Sequence, residues 1–207
     1  GRDAQSEIDP SGKDSLFFKA DITSEEDCVN AVKVSTEKFD TPDILVNNAG
    51  ILGKVPVNMI DVSIEDFTRV MDINLKGAFL MSKHVIKNML SAGKSGNILN
   101  ISTLAGINPM NYGMPYSVSK AGLIMLSKSI ALEYGKYNIR SNTICPGWVM
   151  SDLAVTFSKT MGKDVNVFMD SVGKKSVFSR SCSIKDITSL SLFLLSDNSS
   201  FITGQTY

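Results

Sequence analysis

An α/β protein with a doubly wound parallel sheet is the fold this sequence predicts, and three observations predict it. Short β-rich apolar runs alternate with longer stretches of helical periodicity. The runs are apolar nearly throughout, as in strands covered on both faces, and two of them stop at Asn-Ala-Gly and Pro-Gly, where the backbone turns closely. The expected architecture is a Rossmann-like three-layer sandwich, whose ligands bind beyond the carboxyl ends of the strands.

The elements follow in order. Ser15 to Ile22 reads as a strand, after which Thr23 and Glu26 form a capping box that opens a helix to about Phe39. Asp43 to Asn47 is a short buried strand ending at Asn-Ala-Gly. Ser63, with Asp66 three residues on, caps a helix whose apolar spacing runs to about Leu90. Asn97 to Ser102 is the next strand, Pro115 starts a helix that reaches about Tyr134, and Ile139 to Ile144 is a strand ending at Pro146-Gly147. Residues 151–180 break this rhythm with Lys, Gly and Ser among Val155, Phe157, Met161, Val165, Phe168 and Met169. Such an excursion reads either as a substrate lid or as a helical pair packed on the sheet edge. Ser183 caps a last helix over Ile184 to Leu195, and Ile202-Thr203-Gly204 turns toward one more strand.

Composition narrows the function classes. A chain of 207 residues with 43% hydrophobic and 20% charged content forms one domain with one core. Its 21 basic and 21 acidic residues balance, so no global field draws it to nucleic acid or an anionic membrane. Cys28, Cys145 and Cys182 are odd in number and lack CxxC spacing, which supports neither a disulfide framework nor a metal site and fits a cytoplasmic protein. No apolar run is long enough to span a membrane. The lone histidine, His84, falls among Met81, Val85 and Ile86 and reads as a packed or surface imidazole, which disfavours histidine-based hydrolysis.

The main chemical signal is Tyr116-Ser117-Val118-Ser119-Lys120. Four residues on a helix bring the tyrosine and lysine onto one face, and a nearby cation favours the ionised phenol, making it a usable acid/base. One such pair is weak evidence alone, but four further segments accompany it in a fixed order: Asp21-Ile22, Asn47-Asn48-Ala49-Gly50, Asn74 before Gly77, and Pro146-Gly147-Trp148-Val149-Met150-Ser151. Together they resemble the short-chain dehydrogenase/reductase family, in its 3-oxoacyl-reductase-like branch, from Asp21 to Gln205.

The resemblance implies an NAD(P)-dependent oxidoreductase acting on an alcohol or ketone of small size. Tyr116 would be the general acid/base; Lys120 would hold the nicotinamide ribose and lower the Tyr116 pKa. Thr103, where the family commonly has serine, would position the substrate oxygen, since the adjacent Ser102 should face the other way along an extended strand. Asn74 would mark a helix kink whose carbonyl holds a relay water. Asp21 and Ile22 would flank the adenine; Asn48, Ala49 and Gly50 would let backbone approach the ribose; Pro146, Gly147, Val149 and Ser151 would hold the carboxamide. The family's long helices also imply a homodimer or homotetramer, with Ser117, Ser119, Ala121 and Gly122 permitting close packing. A non-catalytic nucleotide-binding or scaffold protein of the same fold is the alternative reading, motivated by Thr103 and by absent cofactor elements. A sugar-nucleotide epimerase or dehydratase shares the Tyr-Lys pair but usually carries a larger substrate domain.

Against the family pattern, this sequence lacks the glycine-rich fingerprint, so the first strand, helix and most of the second strand are expected ahead of it, and a final strand segment after Tyr207. Gly1-Arg2-Asp3 then reads as the end of the second strand, where Arg2 would meet the 2′-phosphate of NADP and favour it over NAD.

Overall fold

The computed structural model describes residues 2–207. Its framework is a parallel sheet of β1 (Ile44–Asn47), β2 (Gly96–Ile101) and β3 (Ile139–Ile144) in that order. Ile44 pairs with Asn97, and Gly96 with Ile139. The chain reaches the sheet through α1 (Arg2–Ile8) and α2 (Glu25–Phe39). Between β1 and β2 lie α3 (Ile64–Met71), a π-helical turn (Asp72–Lys76) and α4 (Gly77–Ser91). A long helix, α5 (Met114–Tyr134), joins β2 to β3; α6 (Asp152–Thr160), α7 (Val165–Gly173) and α8 (Ile184–Leu195) follow.

Period-two alternation along the strands sorts the core into two layers. Ile98 and Ile139 pack with Val32 of α2, Val85, Ile86 and Met89 of α4 and Ile130 of α5. On the other face Leu99 and Ile144 pack with Leu194 of α8. The first layer also carries a buried polar seam. Asn47 Nδ2 donates to Ser82 Oγ at 3.0 Å and to Asn100 Oδ1 at 2.9 Å; Asn100 Nδ2 reaches Ser141 Oγ, and Ser141 Oγ lies 2.9 Å from Ser127 Oγ. This seam ties all three strands to α4 and α5, and it fixes their register because a slip would strand its polar groups in the core.

Ser63 and Ser183 cap α3 and α8 as expected, each accepting from the amide three residues on. The final segment runs parallel beside β3 through Gly204 N to Ser141 O and Thr143 N to Gln205 O, making one isolated bridge rather than a full strand.

Three expectations are corrected. Ser15 to Ile22 forms no strand: Gln5 and Lys38 side chains bond the Ser15 carbonyl, and Gln5 Oε1 accepts from Phe17 N, so side chains replace a sheet partner. The cap of α2 is Ser24 bonding Asp27 N, because Thr23 is already held by Asp21 Oδ1 through both its amide and its hydroxyl. Arg2 opens the helix α1 instead of closing a strand, its carbonyl accepting from Ser6 Oγ, so the geometry invoked for the NADP 2′-phosphate is not present; Gly1 lies outside the described residues. Residues 151–180 hold the helical pair α6 and α7.

Candidate active site

At the carboxyl end of the sheet the strands open onto a cavity of about 410 Å³. The turn after β1 contributes Asn48 and Gly50, and the chain after β2 contributes Thr103. Helix α5 supplies Tyr116 and Lys120, while the segment after β3 supplies Pro146, Gly147, Val149 and Ser151. Residues far apart in sequence therefore meet because parallel strands all deliver their ends to one edge.

Pro115 pre-sets the first turn of α5, so Tyr116 and Lys120, four apart, project the same way. Both are nearly buried, at 8% and 4% exposure, which shields each polar tip from bulk water. Lys120 Nζ donates to Ile101 O at 2.8 Å. An ammonium carries three donors, leaving capacity directed at the cavity. Burial pushes the Lys120 pKa down to about 8, with Cys145 opposing the shift. Burial also raises the Tyr116 phenol above its ordinary value, and the Thr103 hydroxyl pulls it part of the way back. The expected lowering of the phenol by Lys120 is thus corrected: desolvation dominates, and the lysine ammonium is turned toward the Ile101 carbonyl.

Behind the pair stands a brace. Asn74 sits within the π-helical turn, a wide-turn element that recurs at functional sites, and is 1% exposed. Its Nδ2 donates to Ile51 O at 2.9 Å and to Ser119 Oγ at 3.0 Å, and its Oδ1 accepts from Ile51 N at 2.8 Å. Ser119 Oγ in turn donates to Tyr116 O at 2.8 Å. Gly50 packs against this brace: a Cβ there would lie 3.1 Å from Lys120 Nζ and 3.3 Å from Asn74 Oδ1. Sequence reasoning placed Ser119 at a subunit contact and missed this link. Its position three residues after Tyr116, on the same inward face, is the signal that would have found it.

Thr103 Oγ1 makes two long contacts, donating to Pro146 O at 3.3 Å and accepting from Ala105 N at 3.4 Å, so its hydroxyl is loosely held at the cavity wall. Ser102 also borders the cavity, but its hydroxyl is committed to Lys120 O, to which it donates at 2.9 Å. The Ser151 hydroxyl caps α6, accepting from Ala154 N at 3.4 Å. Besides Asn74, which stands behind the cavity, four of the expected site residues fall outside it. Ala49 is exposed beside it and Arg2 is exposed on α1. Asp21 lines a separate groove with Arg69 and Ile73, and Ile22 packs on Gly77. His84 is likewise remote, bonding Glu25 Oε1 at 3.0 Å.

Over the cavity, Trp148 stacks with two rings from the helical pair. Its centroid lies 4.7 Å from that of Phe157 on α6 and 4.9 Å from that of Phe168 on α7.

A family model described as enoyl-(acyl carrier protein) reductase matches residues 2–207. A trans-4-hydroxycyclohexanecarboxylate dehydrogenase from Sinomonas cyclohexanicum is 35% identical over 194 residues, which are 93% of this chain and 69% of the relative. An NAD⁺-bound xylitol dehydrogenase structure superposes with a TM-score of 0.88 at 29% identity, covering 100% of this chain and 84% of its own. An actinorhodin polyketide ketoreductase with NADPH gives a TM-score of 0.89 at 26% identity, over 99% of this chain and 80% of its own.

Proposed function

The chain belongs to the short-chain dehydrogenase/reductase family, and from that premise we propose that the cavity interconverts an alcohol and a carbonyl compound with NAD(P), Tyr116 acting as general acid/base. The observation that carries this reading is that the buried Tyr116 and Lys120 open into one cavity with Thr103, Asn48 and Gly50.

The residues fit the nicotinamide end of a dinucleotide. Lys120 has donors beyond its bond to Ile101 O that suit ribose hydroxyls, and Gly50 leaves the lysine tip uncovered where a side chain would crowd it. Pro146, Gly147 and Val149 would line the carboxamide side. When bound, the nicotinamide supplies or accepts the hydride. In reduction, the carbonyl π pair moves to oxygen, and that oxygen takes the phenolic proton of Tyr116. A neutral, burial-raised phenol is the form able to donate. Thr103 donates to the same oxygen as charge develops on it. The Thr103 hydroxyl, which favours the ionised phenol, would ease the negative charge left on Tyr116, and the turn around Asn74 would supply a backbone carbonyl for a water leading back to solvent. Asp21, on the far groove, and the adjacent Ile22 would meet the adenine end.

The helical pair α6 and α7 would serve as the lid, since its rings hold the Trp148 wall. We also infer a homo-oligomer through the outer faces of α4 and α5, where Phe79, Val118, Met125 and Leu132 are exposed. Of the small residues first assigned to that contact, Ser117 and Ser119 are buried within the chain and Gly122 packs on Leu75, leaving Ala121. Among the described residues no helix is long and apolar enough to cross a membrane, and three free thiols support a reducing, cytoplasmic setting.

The test is cofactor turnover at 340 nm with the intact protein and a panel of ketones and secondary alcohols, run with NAD(H) and NADP(H). Substrate-dependent turnover is expected. Tight cofactor binding without turnover on any of them would overturn the catalytic reading.

A further inference from the structure

We propose that this site selects neutral ketones and secondary alcohols with an apolar, ring-sized body, and that Trp148 enforces the choice by walling the cavity off from the cationic groups of an adjoining groove. The inference rests on the cavity being the active site and goes further, to the class of substrate.

Beyond the Thr103 and Tyr116 tips the wall is mainly Leu52, Leu104, Met110, Trp148, Leu153 and Ile187, with uncharged polar groups from Asn48, Asn108 and Ser151 among them. Among the described lining residues Lys120 alone carries a charge, and its ammonium is held low in the cavity by Ile101 O. With the remaining Lys120 donors taken by the cofactor ribose, a carboxylate or phosphate on the substrate body would lose water without gaining a cation of its own. An apolar ring would instead meet aliphatic carbon and the indole face.

Cations do lie close by, behind the wall. A second groove shares Leu104, Gly147 and Trp148 with the cavity and contains Lys175 and Arg180. Arg180 is engaged by Asp186 through two contacts, at 2.6 and 2.9 Å. The indole is fixed between the two spaces by Phe157 and Phe168. Removing it would join the cavity to a groove that can meet an anion.

The experiment compares cyclohexanone with 4-oxocyclohexanecarboxylate, a pair differing by one carboxylate, through kcat/KM in wild type, Trp148→Phe and Trp148→Ala. Wild type should favour the neutral ketone by at least about 100-fold, the scale set by an unpaired buried ion. Trp148→Phe should keep that ratio, and Trp148→Ala should lower it at least about tenfold. A ratio within one variant is independent of any general loss of activity. Comparable turnover of both ketones by wild type, or a ratio that Trp148→Ala leaves unchanged, would overturn the proposal while leaving the oxidoreductase reading intact. Trp148 is the sole tryptophan, so its emission reports binding separately. Saturable quenching by cyclohexanone and not by the carboxylated ketone supports the selection even where turnover is slow. Absence of turnover and quenching with both ketones overturns the reading of the cavity as the active site, and the proposal with it.

Discussion

The floor and the roof of the cavity are held by different physics. The floor is a buried polar brace, Ile51–Asn74–Ser119–Tyr116, in which each side-chain group has a directed partner at 2.8–3.0 Å. The roof is three aromatic rings, 4.7, 4.9 and 5.6 Å apart by centroid, Trp148 from the segment after β3 and Phe157 and Phe168 from two nine-residue helices. Directed bonds in a dry interior fix one geometry and are costly to leave half made. Ring contacts are not directional in the same way and tolerate sliding. The floor thus suits a proton transfer that needs fixed atoms, and the roof suits a wall that admits different bodies.

The largest expected effect tests the floor at its reacting end. Tyr116→Phe keeps the ring and the helix but removes the proton, so turnover should fall by about 10²–10⁴ with cofactor affinity retained. Near-normal steady-state turnover would remove Tyr116 as the acid. Asn74→Ala comes next, because it leaves Ile51 N–H, Ile51 C=O and Ser119 Oγ without their partner. We expect a loss of about 3 kcal/mol, roughly 10 °C in Tm, alongside slower turnover. A melting curve like that of wild type would mean the brace is not structural.

Thr103→Val exchanges the hydroxyl for a methyl at near-constant volume. Activity should drop about tenfold, the scale of one hydrogen bond to developing charge, while Thr103→Ser should retain it. Equal rates for all three would put the oxygen-stabilising donor elsewhere. On the roof, Phe168→Leu should cost only about 1 kcal/mol and should speed amide exchange in α6 and α7 without changing α5. Equal acceleration in both regions would erase the contrast between floor and roof.

A further effect, on stability alone, is in pH. Lys120 has a folded pKa of about 8 against an ordinary 10.5, so above pH 8 the unfolded chain holds more protons than the fold. Stability from this group should therefore rise as pH climbs from about 8 toward 10. Thermal scans of wild type against Lys120→Met should differ in slope over that window, with parallel slopes counting against the assignment.

The order of elements was legible because caps and periodicity are local. Ser63 and Ser183 each stand beside the helix they start, and the Ile139–Ile144 run carries its own flanking turn signals. The Tyr116–Lys120 pair was legible for the same reason, since helix geometry alone puts positions four apart on one face. Tertiary structure decided the rest. Ser15 to Ile22 has strand composition but no strand partner, and Arg2 lies in a helix. Ser119 acts through Asn74, 45 positions away, and Trp148 acts through two rings from later helices. The phenol of Tyr116 rises instead of falling because burial, a property of the whole packed molecule, raises it and only the Thr103 hydroxyl pulls it back.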